Sequence, residues 1–322
     1  MIISKTPFRI SLFGGSTDYE SFYSKYGSLL VGFTIDKYCY AIIRKTPKIY
    51  DYRTRVAYSS LEIVNHNKNI KHNGVRGVID FLNIKYGLEI SHLGDLPSQT
   101  GTGSSSSFIV GLLNALYTLR GTKITKRQLA EDAIYIERKL LAEAGGVQDQ
   151  IWAAYGGMNS IHINKDGSFD VKPLPLSDDA INNFFNRSVL IYTGKSRQSY
   201  KIAKAHDNGS AVAYKKNIAK IAKVGYEALI RGDIDEVAHL LHKSWIEKRK
   251  ISTLISNAAV NELYSSLLSD GMIGGKLLGS GGHGFIFGIL DESVSIDEIK
   301  VKYKSHYVSC ELSKAGSVII NT

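Results

Sequence analysis

The stretch PSQTGTGSSSSFIVGLLNAL, from Pro97 to Leu116, most constrains how this chain can fold. Two glycines and four serines within Gly101–Ser107 lead directly into an apolar run that continues to Leu119. A flexible linker of this composition would be followed by polar sequence. The apolar residues instead have the density of a buried helix of about four turns. The sequence therefore predicts a tight loop that enters a buried helix.

Such a loop is suited to binding an anion, because backbone N–H groups at a helix N-terminus lack partners and the helix dipole is positive there. An ordinary helix start with a serine N-cap explains one serine and not four. The loop is not a Walker loop, since no lysine follows Gly103, and not a dinucleotide fingerprint, since Ser106 replaces the third glycine. We predict a phosphate-binding loop. Its residues are Gly101, Thr102, Gly103, Ser104, Ser105, Ser106 and Ser107.

The composition is that of a globular protein, with 43% hydrophobic and 22% charged residues among 322. This length suits two domains. We expect a cytoplasmic protein without a membrane partner, because no apolar run reaches the length of a membrane span and the first residues do not form a signal peptide. Cys39 and Cys310 lie far apart and suggest neither a disulfide framework nor a cysteine-based zinc site.

The net charge of +10 favours an anionic partner, which could be nucleic acid, acidic lipid or a phosphorylated small molecule. Much of this charge lies on predicted helix surfaces and is explained by solvation. A basic nucleic-acid-binding protein is the rival class, and Tyr50–Tyr58 has some of the required mixture of basic and aromatic residues. That class does not explain buried carboxylates, so we expect no nucleic-acid partner.

Strands and helices occur in both halves without regular βαβ alternation, which predicts an α+β protein of two domains. The polar, proline-containing segment Lys165–Asp179 is the best boundary, and it separates residues 1–175 from residues 176–322. Strands are predicted at Ile3–Phe13, Tyr38–Arg44, Arg55–Tyr58, Phe285–Leu290 and Ser317–Asn321. Helices are predicted at His72–Ile90, Ser107–Leu119, Ile124–Ala144, Ala211–Ile230, Ile234–Lys248 and Ile296–Lys304.

Glu137 is a candidate metal ligand, because its helix spacing places it on a face that should be buried. A buried carboxylate is costly unless a cation meets it. The adjacent Arg138 is expected to project elsewhere, so a metal ion or a distant basic residue is needed. A structural salt bridge remains an alternative to the metal.

Asp149, in the segment GGVQDQ, is either a base positioned on a glycine-framed loop or the N-cap of a helix that follows it. Arg9 alternates with Phe8 and Ile10 and points either into the protein or out to solvent. Asp18, after Gly14-Gly15-Ser16-Thr17, is either a turn residue or a ligand for sugar hydroxyls.

Three segments in this order resemble the GHMP kinase family of galactokinase, homoserine kinase, mevalonate kinase and phosphomevalonate kinase. They are TPFRISLFGGSTDY (6–19), PSQTGTGSSSSF (97–108) and KLLGSGGHGFIF (276–287). Thr102 and Ser106 depart from the usual leucine and alanine of the second motif. The first motif lacks the galactokinase residues, which argues against galactose. The sequence of this motif is most similar to the branch of D-glycero-D-manno-heptose 7-phosphate kinases, with fucokinases as near relatives.

The resemblance implies an N-terminal domain like domain 2 of ribosomal protein S5 and a ferredoxin-like C-terminal domain. It implies ATP-dependent phosphorylation of the C1 hydroxyl of a sugar phosphate, in nucleotide-activated heptose synthesis for surface polysaccharide. Another sugar 1-kinase, such as a fucokinase-like enzyme, remains the alternative. Partners would then be small molecules, and whether the chain forms a homodimer stays open.

The resemblance also implies roles for individual residues. Asp149 would face the acceptor hydroxyl, and Arg9 would stabilise the developing charge. Ser105 and Glu137 would hold Mg²⁺, and Asp18 would bind sugar hydroxyls. The other residues expected to contact the substrate are Gly14, Gly15, Ser16, Gly281 and Gly282.

A phosphorylated sugar requires a second anion site, and YTGKSRQSYK (192–201) is the candidate for it. Lys195 and Arg197 flank Ser196 at the start of a predicted helical stretch. Basic charge is unfavourable at a helix N-terminus, and this oddity favours a bound anion over a solvated turn. The sequence therefore predicts that Lys195 and Arg197 bind the phosphate of the sugar.

Overall fold

Residues 1–194 and 211–320, which the computed structural model describes, form two β-sheets with helices packed on them. The predicted strands are present, and the α+β class is confirmed. The strands are β1 (Ile2–Phe13), β2 (Ser28–Lys45), β3 (Thr54–Ala57), β4 (Leu61–Val64), β5 (Leu88–Gly94), β6 (Met158–Ile163), β7 (Phe169–Pro173), β8 (Ser188–Tyr192), β9 (Met272–Leu277), β10 (Phe285–Leu290), β11 (Tyr307–Val308) and β12 (Val318–Ile320).

Helices from both halves of the chain pack on the larger sheet, and Ile234–Ile251 and Ala258–Ser269 pack on the smaller one. Only the described residues are included. They are α1 (Glu20–Tyr26), α2 (Asn73–Phe81), α3 (Ser104–Leu119), α4 (Lys126–Tyr135), α5 (Gln148–Tyr155), α6 (Asp178–Asn186), α7 (Val212–Arg231), α8 (Ile234–Ile251), α9 (Ala258–Ser269) and α10 (Ile296–Lys302).

The larger sheet has the order β12-β1-β2-β5-β3-β4, and β6 and β7 extend it beside β2. Strand β1 is buried on both faces over most of its length, since α3 covers one face and helices of the C-terminal half cover the other. Gly111 lets α3 approach closely, because a Cβ there would lie 2.7 Å from Thr6 Oγ1. Each buried apolar side chain of α3 stabilises this packing by roughly 1.5–3 kcal/mol.

Two predicted helices are shorter than expected. The helix predicted over His72–Ile90 ends at Phe81, because Asn83 adopts a positive φ and Gly87 packs against the Arg53 carbonyl before β5 begins. The helix predicted over Ile124–Ala144 is α4 followed by one π-helical turn, Ile136–Leu140. Thr125 caps α4, since its Oγ1 accepts the Gln128 N–H at 3.1 Å.

The smaller sheet is antiparallel with the order β11-β8-β10-β9. Numbered along the chain, this is the order 4-1-3-2, and α10 connects the last two strands. The arrangement is ferredoxin-like, as expected, and agrees with the predicted two-domain fold. The predicted boundary at residues 175 and 176 falls between β7 and α6 and stays a prediction.

The chain returns to the larger sheet near its end, where β12 pairs antiparallel with β1. Ile3 lies opposite Ile320, and the Thr6 hydroxyl lies 2.9 Å from the Ser317 hydroxyl. The larger sheet is therefore completed by residues that follow the smaller one.

Candidate active site

The predicted phosphate-binding loop lies at the N-terminus of α3, as expected from the sequence. The N-cap of this helix is Gly103, whose φ of 79° is in the left-handed region that glycine adopts readily. The serine N-cap alternative is wrong, because the Ser104 hydroxyl instead accepts the backbone N–H of Gln99 at 3.3 Å. The N–H groups of the first turn are therefore left without a capping side chain and open toward the cleft.

The third glycine-rich segment packs directly on this loop. A Cβ on Gly101 would lie 2.7 Å from the Leu278 carbonyl oxygen, and one on Gly279 would lie 2.3 Å from the Gly101 Cα. A Cβ on Gly284 would lie 2.2 Å from the Thr100 carbonyl oxygen. Glycine is thus required on both sides of the contact between the two halves of the chain.

Gly281 and Gly282 lie elsewhere than the sequence predicted. Both are buried against Ile255, whose carbonyl oxygen accepts the Gly282 N–H at 2.9 Å. The residues of this segment that line the cleft are Gly279 and Ser280. The prediction that Gly281 and Gly282 contact substrate therefore has no support in the geometry.

Arg9 and Asp149 form a buried ion pair at the base of the cleft. The Arg9 guanidinium donates from Nε to Asp149 Oδ1 at 2.8 Å and approaches the same oxygen from Nη2 at 2.7 Å. It also donates to the Gly101 carbonyl at 2.5 Å. Arg9 points into the protein, whereas the Asp149 side chain stays 26% exposed and accessible to a substrate.

Asp149 is not an N-cap, because it is the second residue of α5 and the N-cap position is Val147. The pair therefore links three elements, β1, α5 and the phosphate-binding loop. A carboxylate held by a guanidinium and open to the cleft can accept a proton from a hydroxyl group.

Asp18 lies beside this pair and is buried. Its carboxylate accepts the backbone N–H of Ser16 at 3.1 Å and that of Gln148 at 3.4 Å. Burial raises its pKa, and the negative charge of Asp149 raises it further. Gly146 is needed here, because a Cβ at that position would lie 1.8 Å from Asp18 Oδ2.

The loop after β1 supplies further predicted substrate contacts. Gly15 and Ser16 line the cleft together with Asp18. Gly14 does not, since it forms the turn in which its carbonyl oxygen accepts the Thr17 N–H at 3.0 Å. Its role is therefore to shape the loop.

Glu137 is fully buried on the π-helical turn and lines the cleft. Its oxygens accept the Ser106 hydroxyl at 2.8 Å and 3.1 Å and the Gln150 side-chain amide. Burial raises the pKa of Glu137 to about 7, against the opposing effects of Arg138, Gln150 and Ser106. The two neutral donors, the Ser106 hydroxyl and the Gln150 amide, solvate the carboxylate only in part.

One expectation around Glu137 needs correction. Arg138 does not project elsewhere, because its Nη2 lies 3.7 Å from Glu137 Oε2. The serine that contacts Glu137 is Ser106, whereas Ser105 is exposed at the cleft. The predicted assignment of Ser105 as a metal ligand stays a prediction.

Sequence reasoning missed two buried lysines, Lys248 on α8 and Lys276 on β9, which line the cleft from the C-terminal half. Lys276 Nζ donates to the Leu12 carbonyl at 3.0 Å, and Lys248 Nζ donates to the carbonyls of Leu277 and Gly279 at 3.0 Å and 2.6 Å. Lys248 follows Leu241 and Trp245 at helical spacing, which was the available signal.

Both lysines have lowered pKa values. Burial lowers the pKa of Lys276 to about 7, and the positive charge of Arg9 contributes in the same direction. Burial lowers the pKa of Lys248 as well, followed by the charges of Lys276 and Arg9. The C-terminal wall of the cleft thus holds two amines whose charged form is destabilised by burial.

The residues of the N-terminal wall fit a nucleotide with Mg²⁺. Mg²⁺ keeps several waters and is usually held by one or two carboxylates together with substrate phosphates. Glu137 is a buried carboxylate without a full counter-charge, and the free N–H groups of α3 suit phosphate oxygens. Among the described residues, no group of three or more His, Cys, Asp or Glu is placed to hold a metal ion.

Lys195 and Arg197 lie outside the described residues, so their predicted role stays a prediction. Within residues 1–194 and 211–320, no helix combines the length and apolarity needed to cross a bilayer.

Comparison with known proteins identifies the family of this chain. Residues 73–157 match the family model of the GHMP kinase N-terminal domain, and residues 226–309 match that of the GHMP kinase C-terminal domain. The chain is 30% identical to D-glycero-alpha-D-manno-heptose 7-phosphate kinase of Campylobacter jejuni over 320 residues, which cover 94% of this chain and 93% of that protein.

A more distant relative and a solved structure are also sugar kinases by name. A bifunctional fucokinase/GDP-fucose pyrophosphorylase of Arabidopsis thaliana is 26% identical over 231 residues, which are 68% of this chain and 21% of that protein. The crystal structure of a D-glycero-D-manno-heptose 1-phosphate kinase from Bacteroides thetaiotaomicron superposes with a TM-score of 0.82 at 23% identity, covering 100% of this chain and 99% of that one. With both domain matches in order and a full-length relative, the chain belongs to the GHMP kinase family.

Proposed function

We propose that this protein transfers the terminal phosphate of ATP to the C1 hydroxyl of D-glycero-D-manno-heptose 7-phosphate. The product is the 1,7-bisphosphate, a precursor of nucleotide-activated heptose for surface polysaccharide. The observation that carries the proposal is the Arg9–Asp149 pair beside the phosphate-binding loop, in a chain that resembles a heptose 7-phosphate kinase over nearly its whole length.

Phosphoryl transfer requires positioning and charge stabilisation more than covalent chemistry. Asp149 Oδ2 is the atom proposed to accept the proton of the acceptor hydroxyl. Arg9 orients Asp149 through their hydrogen bond, and places positive charge near the atoms that gain negative charge. Asp18 and Ser16 bind hydroxyl groups of the sugar and fix which hydroxyl faces Asp149.

The nucleotide phosphates are proposed to bind at the N–H groups of α3, with the serine hydroxyls of the loop as further donors. Ser105 and Glu137 would hold Mg²⁺, which neutralises phosphate charge when bound. Ser106 and Gln150 orient Glu137 through the hydrogen bonds described above. The contact between Gly101 and Gly279 holds the glycine-rich segment of the C-terminal half against the loop.

The names of the relatives agree on a phosphorylated heptose and differ in the position of its phosphate. Full-length similarity to the 7-phosphate kinase favours C1 as the acceptor. A fucokinase-like enzyme remains the alternative, because a plant fucokinase is similar over 68% of this chain. That enzyme would use a free sugar.

The test is release of ADP with Mg-ATP and a panel of heptose 7-phosphate, free heptose, L-fucose and galactose, with the product identified by ³¹P NMR. We expect the phosphorylated heptose to be preferred over the free sugar by roughly 10² or more, since charge-assisted contacts contribute about 3 kcal/mol. Equal use of heptose and its 7-phosphate would contradict the proposal and favour a fucokinase-like enzyme.

A further inference from the structure

The C-terminal wall of the cleft contains two buried ammonium groups without a counter-ion. Lys248 and Lys276 are 5% and 4% exposed, and both line the cleft. Within the described part of the chain, no carboxylate lies within 4.0 Å of either Nζ. Their protein partners are backbone carbonyl oxygens. Buried charges in folded proteins are otherwise paired or bound to a ligand of opposite charge.

Each ammonium group has three N–H donors. Lys276 uses one on the Leu12 carbonyl, and Lys248 uses two on the carbonyls of Leu277 and Gly279. Because both side chains line the cleft, the remaining donors are available to a molecule bound in it. An anion there would accept hydrogen bonds and neutralise charge that the protein leaves uncompensated.

The two lysines lie between the loop after β1 and the phosphate-binding loop. Lys276 lies beside the loop after β1, since a Cβ on Gly15 would be 3.9 Å from its Nζ. Lys248 donates to the carbonyl of Gly279, which packs on Gly101. Asp18, on the loop after β1, is the acidic group whose charge acts on both lysines. Lys276 therefore faces the part of the cleft assigned to the sugar, and Lys248 lies between that part and the nucleotide loop.

We propose that Lys248 and Lys276 form a second anion site in the cleft, which binds a phosphate monoester. The proposal rests on the kinase function proposed above. Two groups in that reaction have this chemistry, the phosphate carried by the acceptor sugar and the terminal phosphate of the nucleotide. The location beside Gly15 and Asp18 assigns the site to the acceptor's phosphate, and the experiment below separates the two sources.

This assignment makes the lysine pair a determinant of specificity. A free sugar would leave both ammonium groups unneutralised in the closed site, whereas a sugar phosphate supplies their counter-charge. Lysine is well suited to this task, because its compact ammonium acts as a point charge toward phosphate. The sequence predicted this role for Lys195 and Arg197, so Arg197→Ala belongs in the same comparison.

The first experiment measures binding by calorimetry for Lys248→Met, Lys276→Met and the control Lys250→Met. Lys250 is on the same helix but pairs with Glu247 at the surface, outside the cleft. We expect each cleft variant to bind heptose 7-phosphate about 10- to 100-fold more weakly, as expected for loss of a charge-assisted hydrogen bond. Binding of Mg-ATP should change less than about threefold, and Lys250→Met should match the wild type.

The opposite pattern, with Mg-ATP weakened and heptose 7-phosphate unchanged, would overturn the assignment to the acceptor and give the site to the nucleotide. Unchanged binding of both ligands would overturn the anion site altogether. A loss confined to Arg197→Ala would return the role to the segment predicted from the sequence.

A second measurement keeps the proposal testable if a methionine variant does not fold. Lys276 faces Arg9, Asp18 and Lys248, and its pKa of about 7 means that it is largely neutral at pH 8. A dianion bound to Lys276 raises that pKa, so binding at pH 8 should take up a proton. Calorimetry in two buffers of different ionisation enthalpy measures this uptake.

Lys276→Arg is the matched variant, because arginine stays charged at this pH. It should bind within about tenfold of the wild type and take up fewer protons. Equal proton uptake by Lys276→Arg and the wild type would contradict a role for Lys276 in binding the anion.

Failure of the proposed substrate can be told apart from failure of this site. Inorganic phosphate is titrated into the wild-type protein and Lys248→Met with Mg-ADP saturating the nucleotide loop. Phosphate binding that Lys248→Met weakens about tenfold supports the anion site even when heptose 7-phosphate is not turned over. Absence of phosphate binding to the wild type under these conditions would overturn it.

Discussion

The two walls of the cleft bury charge of opposite sign in the same manner. On the N-terminal wall, the Glu137 carboxylate is surrounded by a hydroxyl, an amide and a guanidinium at 3.7 Å. On the C-terminal wall, Lys248 and Lys276 are surrounded by carbonyl oxygens. Neither wall neutralises its charge, since burial raises the pKa of Glu137 and lowers those of both lysines.

The Arg9–Asp149 pair differs from both, because its charges compensate each other within hydrogen-bond distance. A self-compensated pair can serve chemistry without a bound ion, whereas the two uncompensated clusters need ligands of opposite charge. The comparison separates three roles. Loss of the pair should reduce kcat, loss of Glu137 should change the metal requirement, and loss of a lysine should weaken binding of the acceptor.

The largest effect is expected for Asp149→Asn. It removes the proton acceptor while keeping the shape of the side chain, so kcat should fall by a factor of about 10² to 10⁴ with ATP affinity nearly unchanged. Steady-state kinetics and nucleotide binding measure this split. Asp132→Asn is the control, since Asp132 is also buried but bonds Tyr117 and Gln128 outside the cleft. Comparable losses in both variants would show that Asp149 acts only on the fold.

Glu137→Gln should come next. The amide fits the same space but removes the charge that faces the metal, so kcat/KM for Mg-ATP should fall by about 10² and the Mg²⁺ requirement should rise. Magnesium titrations of activity check this. Glu62→Gln is the control, because Glu62 is buried against the Lys71 and His72 N–H groups, away from the cleft. Unchanged activity at limiting Mg²⁺ would return Glu137 to a structural role.

Gly101→Ala tests the contact that sets the distance between the walls. The new methyl group would meet the Leu278 carbonyl at a φ of 81°, so the free energy of unfolding should fall by about 2–3 kcal/mol. Gly121→Ala is a matched control, because its φ is 70° but nothing lies within 4 Å. Chemical denaturation measures both. Similar losses would mean that backbone strain alone, and not the contact between the walls, is responsible.

The smallest effect is a gain of stability in Lys276→Met without ligand. The pKa of Lys276 is about 7 in the folded protein and near 10.5 in the unfolded chain, so the unfolded chain binds more protons between these values. Stability of the wild type therefore rises with pH across that window. The variant should be more stable by about 1–4 kcal/mol at pH 6, with the gap narrowing toward pH 10. A constant gap would contradict the low pKa of Lys276.

The sequence predicted the phosphate-binding loop and the buried Glu137 because each departs from a local pattern. Glycines before an apolar helix and a carboxylate on an apolar face are visible within one turn of chain. The sequence left Asp149 open between a base and an N-cap, and it left the direction of Arg9 open, because neither choice is determined by neighbouring residues.

The lysine pair was harder to predict. Lys276 follows two glycines on a strand and resembles solvated surface charge. Lys248 follows Leu241 and Trp245 at helical spacing, but it stands in the basic run Lys248–Lys250 at the end of its helix. The burial of both lysines depends on packing between the two halves of the chain. The sequence could not decide which serine, Ser105 or Ser106, contacts Glu137, because the π-helical turn changes the direction of the Glu137 side chain.

The pairing of β12 with β1 has a consequence for how the chain is made. Strand β1 is synthesised before the other strands, yet one of its two neighbours in the sheet is some three hundred residues away along the chain, with Ile3 opposite Ile320. Contacts of such sequence separation slow folding, because a large loop must close before they form. The ribosome must therefore have produced almost all of these residues before the first strand acquires both of its neighbours. Until then one edge of the larger sheet is open to a chaperone or to another nascent chain.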